Sequence, residues 1–239
     1  MNSFIGYNII GDIHARSCWK SLVHKDCINI FVGDYFDSYE YVSPVEQLYN
    51  FQEILDFKRK HPETILLYGN HDLHYLVSGE HYSRFDAMSA HLYRQTFMES
   101  QSLFNDIAYP IGDVALVTHA GVTKEWYEKC IGFYQSEPVS EVARNINELW
   151  LKDMQAFTFS TNATSWMDHC GTSPTHSPLW IRPWVLENHN LFVGTRIKQI
   201  FGHTQTKEGI VTNSNLICVD CLGSVNKFEP GIASLIINN

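Results

Sequence analysis

Seven short apolar runs set the terms for this chain: Tyr7–Ile10, Ile28–Val32, Thr64–Tyr68, Val114–Val117, Ile197–Phe201, Leu216–Val219 and Ala233–Ile237. Each is rich in Ile, Val, Leu or aromatic residues and has the length of a buried strand. Helix-like segments separate the first three. Ser43 and Pro44 read as an N-cap followed by proline at the first helical position. Val45–Lys60 then places Leu48, Phe51, Ile54 and Leu55 on one face. The segment stops at His61-Pro62, because Pro62 disfavours helix before it. Met88–Phe104 and Val139–Met154 also have helical spacing. Strands alternating with helices imply βαβ units and an α/β class. Gln155–Pro178 is different: it is rich in Ser, Thr, Asn and Pro, has no period, and is expected to be a long functional loop. With no internal repeat and no linker, residues 1–239 are expected to form a single domain.

Composition narrows the class. The chain has 239 residues, 44% apolar and 18% charged, as a soluble globular protein does. No apolar run approaches the ~20 residues of a membrane helix. The start MNSFIGYNIIGD lacks a basic n-region, so no signal peptide is read and cytoplasmic residence is expected. A formal net charge of −9 repels nucleic-acid backbones. The expected partners therefore include neither nucleic acid nor membrane. Nothing in the sequence sets an oligomeric state. Six cysteines in a chain of this length form no dense disulfide framework. Cys218 and Cys221 make a lone C-x-x-C inside a strand-like stretch, which favours buried thiols over a redox or zinc site.

Five motifs stand where these strands end. Gly11-Asp12-Ile13-His14 follows the first run and Gly33-Asp34-Tyr35-Phe36-Asp37 the second. Gly69-Asn70-His71-Asp72 follows the third, Thr118-His119-Ala120-Gly121 the fourth and Gly202-His203-Thr204 the fifth. Ligands of open α/β sheets bind beyond the carboxyl ends of strands, so the five would converge on one edge. Carboxylate, amide oxygen and imidazole donors without a thiolate suit hard and borderline divalent ions. A carboxylate can also bridge two of them. Glycine before a ligand permits a tight turn and close backbone approach. Asn70 is an odd residue to bury unless something coordinates or hydrogen-bonds it. Singly, each motif has an ordinary reading as a helix cap or a turn. Five in order, each with a metal-competent side chain, do not.

The series G-D-x-H, G-D-x-x-D, G-N-H-D, H-A-G and G-H-T resembles the calcineurin-like metallophosphoesterase superfamily, from Asp12 to His203. The resemblance implies a β-sandwich of two mixed sheets flanked by helices, with a dimetal site at one edge. It implies that Asp12, His14 and Asp34 hold one divalent ion and that Asp34, Asn70, His119 and His203 hold the other. Asp34 would be the bridge, and the ions would be Mn, Fe or Zn. It further implies that His71 protonates the leaving alkoxide and that Asp37 hydrogen-bonds His71 and keeps it cationic. Thr204, together with Leu179-Trp180-Ile181-Arg182, is similar to the phosphoprotein (Ser/Thr) phosphatase branch, where an Arg at the Arg182 position binds phosphate. Asn70 would also face the substrate phosphate.

The implied reaction is hydrolysis of a phosphate monoester, on a phosphoprotein or a small phosphate ester, by a metal-bound hydroxide. Two departures bear on the substrate. The branch carries Arg after the second motif's last Asp, where this chain has Ser38. Gly69–His74 and His119–Thr123 are similar to symmetrical diadenosine tetraphosphate hydrolases, which makes dinucleoside polyphosphates the alternative substrate. An alternative of another class is an inactive scaffold that keeps the fold and binds a partner. Arg16 either replaces the missing Arg or lies on a helix surface. Arg182 either aims at phosphate or stacks on Trp180 and Trp184 at the surface. His74 is close enough to line the site, whereas His24, His169 and His176 are expected on the surface or in loops. Cys18, near His14, is not required. Gln155–Pro178 is expected beside the site, because it leads directly into Leu179–Arg182.

Overall fold

A computed structural model describes residues 4–163, 168, 170–206, 211–213, 215–221 and 234–238. Among the described residues, nine strands form two sheets. The first contains β1 (Gly6–Ile10), β2 (Cys27–Phe31), β3 (Ile65–Leu66) and β9 (Ser234–Asn238), in the order β3-β2-β1-β9. The second contains β4 (Ala108–Ile111), β5 (Ala115–Thr118), β6 (Lys198–Phe201), β7 (Val211–Asn213) and β8 (Leu216–Cys218), in the order β4-β5-β6-β8-β7. In the first sheet β1, β2 and β3 are parallel and β9 is antiparallel to β1. In the second β5, β6 and β8 are parallel, with β4 and β7 antiparallel at the edges. The architecture is the expected sandwich of two mixed sheets with helices outside.

The alternation of side chains along each strand builds two kinds of core. Ile9, Ile30, Val32, Ile65 and Leu67 from one sheet meet Ala115, Val117, Ile200, Ile217 and Val219 from the other, filling the space between sheets. Their neighbours Ile10, Phe31 and Leu66 face outward, into a larger aromatic-rich cluster with the helices. Strands buried on both faces carry unbroken apolar runs, which is why the runs were legible.

The helix α2 (Pro44–Lys60) begins as its sequence predicts. Ser43 caps it, Pro44 opens it, and Ser43 and Glu46 form a reciprocal capping box. It buries Phe51, Ile54 and Leu55. The other helices are α1 (Trp19–Leu22), α3 (Asn70–Leu76), α4 (Ala90–Ser100), α5 (Lys124–Cys130), α6 (Val139–Lys152), α7 (Phe159–Asn162) and α8 (Pro183–His189). None in the described residues is long and apolar enough to cross a membrane.

Three features differ from the sequence expectation. The strand β4, AYPI, carries Pro110, which reads as a strand breaker. It survives because β4 is an edge strand, where one side of the backbone has no ladder to serve. The short helices α1, α3, α5, α7 and α8 have two turns or fewer and leave no periodic signal. Gln155–Pro178 is not an unbroken loop. It opens with a 3-10 turn, Met154–Phe157, and then α7. Phe157 is fully buried and meets Trp126 and Trp150 edge-on or tilted, with ring centroids 5.3 and 5.4 Å away. The polar composition that suggested a loop supplies local backbone hydrogen bonds instead. Thr158 Oγ1 donates to Gln155 O, and Asn162 Nδ2 to Ala156 O and Thr158 O.

Phe36 joins this core to the residues that follow. It stacks on Tyr93 at 4.0 Å, meets Phe51 at 4.9 Å, and lies immediately before Asp37. Phe36→Ala is expected to lower the unfolding free energy by about 3–5 kcal/mol, measured by urea denaturation. A loss under about 1 kcal/mol would mean that the surrounding rings collapse into the space.

Candidate metal centre and active site

Six parallel strands bring their carboxyl ends together, three from each sheet. Asp12 and His14 follow β1, Asp34 and Asp37 follow β2, and Asn70 and His71 follow β3. His119 follows β5, His203 follows β6, and Asp220 follows β8. The turns that deliver these side chains are unusual. His14, Asp34, Asp37 and His203 have φ of 43°, 56°, 61° and 65°, in the left-handed region that non-glycine residues enter sparingly. Cross-loop hydrogen bonds hold them there. His14 N donates to Asp34 O at 2.6 Å, and His203 N donates to the Asp12 carboxylate at 3.0 Å. Glycine is needed where these loops touch. A Cβ on Gly69 would stand 2.1 Å from Asp34 Oδ1, and one on Gly202 would stand 2.1 Å from Asp12 Oδ1.

The candidate ligands do converge. Asn70 Oδ1 lies 2.8 Å from His119 Nε2 and 2.8 Å from His203 Nδ1, and those nitrogens are 3.2 Å apart. Asp34 Oδ2 lies 3.4 Å from His14 Nε2 and 3.5 Å from His119 Nε2. Each of the three imidazoles donates its other N–H to a main-chain carbonyl. His14 Nδ1 reaches Phe36 O at 3.0 Å, His119 Nδ1 reaches Val32 O at 2.9 Å, and His203 Nε2 reaches Trp180 O at 3.1 Å. That leaves three inward nitrogens as bare lone pairs, oriented as metal-ligating histidines are. Burial keeps these rings neutral: it pushes His119 down to about 3 and His14 and His203 well below the usual histidine range.

The carboxylates show the complementary imbalance. Burial raises Asp34 to about 8, and burial with the neighbouring Asp34 charge raises Asp12 well above the usual range. Burial and the Asp12 charge do the same to Asp220. Lone pairs meeting lone pairs beside clustered buried carboxylates form a set that cations complete. The ligand atoms of Asp12, Asp34 and His119 lie within 4.8 Å of one another, as do those of His14, Asp34 and His71. The donor set therefore fits divalent metal.

Beside the cluster stands a second arrangement. His71 Nδ1 donates to Asp37 Oδ2 at 2.8 Å. Tyr75 donates its hydroxyl to Asp37 Oδ1, and His74 Nε2 lies 2.7 Å from Asp37 Oδ2. Burial works against the charge on Asp37, but hydrogen bonds from His71 and His74 outweigh it and hold the carboxyl below its usual range. Burial likewise works against a charged His71, and the Asp34 and Asp37 charges with the Asp37 hydrogen bond outweigh it, so His71 is raised. His74, fully enclosed, does not line the site. It lies behind Asp37 and accepts a hydrogen bond from Tyr82 N on Nδ1.

Asp12, His14, Asp34, Asn70, His71 and His203 line one cleft of about 430 Å³. Arg182 lines it, held by Nε to Cys170 O at 2.7 Å and by Nη1 to Thr204 Oγ1 at 3.1 Å and His203 O at 3.3 Å. Stacking on the flanking tryptophans is not its arrangement. Trp184 is 53% exposed, and the Trp180 ring packs on Tyr82 and Phe159. Arg16 also lines the cleft and is buried, not on a helix surface. The Gln155–Pro178 segment borders the cleft through Phe159, and its Cys170 carbonyl anchors Arg182. His169 lies outside the described residues. His176 is a buried structural residue, not a surface one, 2.7 Å from Asp168.

Two residues escaped the sequence reading. Asp72 accepts from Asp34 N, Tyr35 N and Gly69 N at 2.8, 2.9 and 2.7 Å. Its signal was its place three residues past Gly69 at a helix start. Asp220 is buried, lines the cleft and hydrogen-bonds Asp12. It is an Asp at a strand end like the others, overlooked between Cys218 and Cys221, which are free thiols.

The two mixed sheets and this edge cluster define a metallophosphoesterase-type sandwich. The chain belongs to the calcineurin-like phosphoesterase family, whose model matches residues 8–207. Among solved structures, it is similar to a protein serine/threonine phosphatase from Saccharomyces cerevisiae that is itself similar to human phosphatase PP5. Identity is 14% and the TM-score 0.48, over 90% of this chain and 67% of that one. No curated protein matches the chain.

Asp168 organises the approach to Arg182. Its carboxylate accepts from Thr172 N and Ser173 N, both at 3.0 Å. Burial works against its charge, yet these hydrogen bonds and that of His176 hold the carboxyl at about 2. A depressed carboxyl stabilises the fold above its ordinary pKa, and that contribution fades as pH falls toward the folded value. Asp168→Asn is therefore expected to lower the thermal midpoint at pH 7 and to lower it progressively less between about pH 4 and pH 2. A pH-independent difference would assign the effect to hydrogen-bond shape alone.

Proposed function

We propose that this phosphoesterase is a dinuclear metal-dependent phosphomonoesterase of the Ser/Thr protein phosphatase type. The observation that carries the reading is His71, hydrogen-bonded to Asp37 and adjoining a cluster of buried carboxylates and neutral imidazoles. Asp12, His14 and Asp34 would hold one ion and Asp34, Asn70, His119 and His203 the other, with Asp34 shared. The oxygen and nitrogen donors suit Mn, Fe or Zn. When bound, two such ions supply an acidified water and neutralise phosphate oxygens.

The chain's own residues do the rest. Arg182, its Nε and Nη1 already fixed, presents its remaining N–H groups to the phosphate. Asn70 faces the same phosphate. His71 gives the proton on its free nitrogen to the leaving oxygen, and Asp37 holds the ring oriented and protonated. Tyr75 and His74 keep Asp37 in place.

A second reading, hydrolysis of dinucleoside polyphosphates, is favoured by the aromatic rim of Tyr39, Tyr82, Phe159 and Trp180, on which a base could stack. A panel of phosphopeptide, aryl phosphate and diadenosine tetraphosphate with added Mn²⁺ separates the two by their relative kcat/KM. If none of the three is hydrolysed, the chain is a partner-binding member of its family.

Two variants test the machinery. The protein is expected to carry up to two transition-metal ions by elemental analysis, and Asp34→Asn to lower both occupancy and activity. Full occupancy in that variant removes Asp34 as the shared ligand. His71→Asn is expected to keep its metals while kcat on an alkyl phosphate falls by about 10²–10⁴-fold. The loss should shrink on a nitrophenyl phosphate, whose leaving group needs no proton. Equal losses on both esters would take the acid role from His71.

A further inference from the structure

Among the described residues, no carboxylate pairs with the Arg16 guanidinium. Arg16 is 8% exposed, yet the one hydrogen bond of its guanidinium to the described residues runs from Nη1 to Asp12 O at 3.3 Å. No described carboxylate comes within 4.0 Å of its guanidinium. Buried guanidinium groups are ordinarily paired, because an isolated charge is costly to desolvate. The Arg16 charge acts on Asp12 and Asp220, but those two carboxyls hydrogen-bond each other and neither bonds Arg16. Arg16 lines the same cleft as Asp34, His71 and Arg182. Asp37-Ser38-Tyr39 brings no cation to it, and Arg84 is engaged with Ser38 O and the Tyr39 ring.

We propose that Arg16 is a second phosphate-binding guanidinium and that it selects a terminal phosphate monoester over a diester. The proposal rests on the phosphoesterase reading above. A monoester dianion offers three non-bridging oxygens, whereas a diester offers two and a single charge. Arg182 holds the phosphate from the loop before α8, and Arg16 holds it from the loop after β1. A guanidinium can bind two oxygens at once, and it adds most where the extra charge and the third oxygen exist.

The test uses full-length, metal-loaded protein with inorganic phosphate as the probe. Arg16→Met should weaken phosphate binding, measured by calorimetry, by about tenfold or more, with metal content unchanged. It should lower kcat/KM on nitrophenyl phosphate by a similar factor and leave that on bis(nitrophenyl) phosphate within about threefold. Arg16→Gln, which can still donate to Asp12 O but is neutral, should behave alike and serves if the Met variant does not fold. Unchanged phosphate affinity, or equal losses on monoester and diester, overturns the proposal. If the wild-type protein neither binds phosphate nor cleaves either ester, the phosphoesterase reading fails and this proposal falls with it. If the wild type does both and the Arg16 variants match it, only this proposal fails.

Discussion

The carboxylate of Asp72 is the clasp on which the site depends. It is fully buried and accepts N–H groups from both sides of one junction: Asp34 and Tyr35 after β2, and Gly69 after β3. Burial raises it to about 7, while the three N–H groups act to lower it. Because that junction is closed, His71 N reaches Asp34 Oδ1 at 2.8 Å, and the Asp34 side chain turns toward the rings of His14 and His119. The glycine at position 69 allows the contact, since any side chain there would occupy the Asp34 carboxylate.

Around that clasp the protein accumulates features that a fold alone would avoid. Four candidate site residues sit in left-handed backbone, several buried carboxylates share one pocket, and the imidazoles of His119 and His203 turn bare lone pairs toward each other while that of His14 faces Asp34. Each costs free energy in isolation. Together they describe a surface complementary to positive charge, with the strain borne by loops that two sheets hold from behind. The sandwich makes this possible because parallel strands in both sheets end at the same edge, so six loops meet where one sheet would offer three.

The second charge arrangement is kept apart from the first. Asp37 is held below its usual range, while Asp34, close by, is held far above it. Both are buried, so burial does not separate them. Asp37 receives donors from His71 and Tyr75 and has His74 Nε2 2.7 Å away, whereas Asp34 has His71 N on one oxygen and histidine lone pairs near the other. Two carboxylates three residues apart in sequence thereby become an anion beside a protonated imidazole and a ligand short of positive charge.

The sequence by itself determined seven of the strands, all but β4 and β7, with the capped helix at Pro44 and the strand-end positions of the candidate ligands. Those depend on local patterns: apolar runs, Ser-Pro caps, and glycine before a polar side chain. It also marked Asp37 and His71, since both lie in motifs. Only the tertiary structure decided which polar residues share a space. Asp220 lies far from Asp12 in sequence yet hydrogen-bonds it, because β8 runs parallel in the facing sheet and ends at the same edge. Pro110 could sit in a strand because β4 is at an edge, which no local window reveals. Ser/Thr-rich Gln155–Pro178 took regular turns because Phe157 found Trp126 and Trp150. Arg16 reads in sequence either as a replacement for the missing Arg or as a helix-surface residue. The structure buries it with no carboxylate partner among the described residues, and burial is set by everything packed around a side chain rather than by its neighbours along the chain.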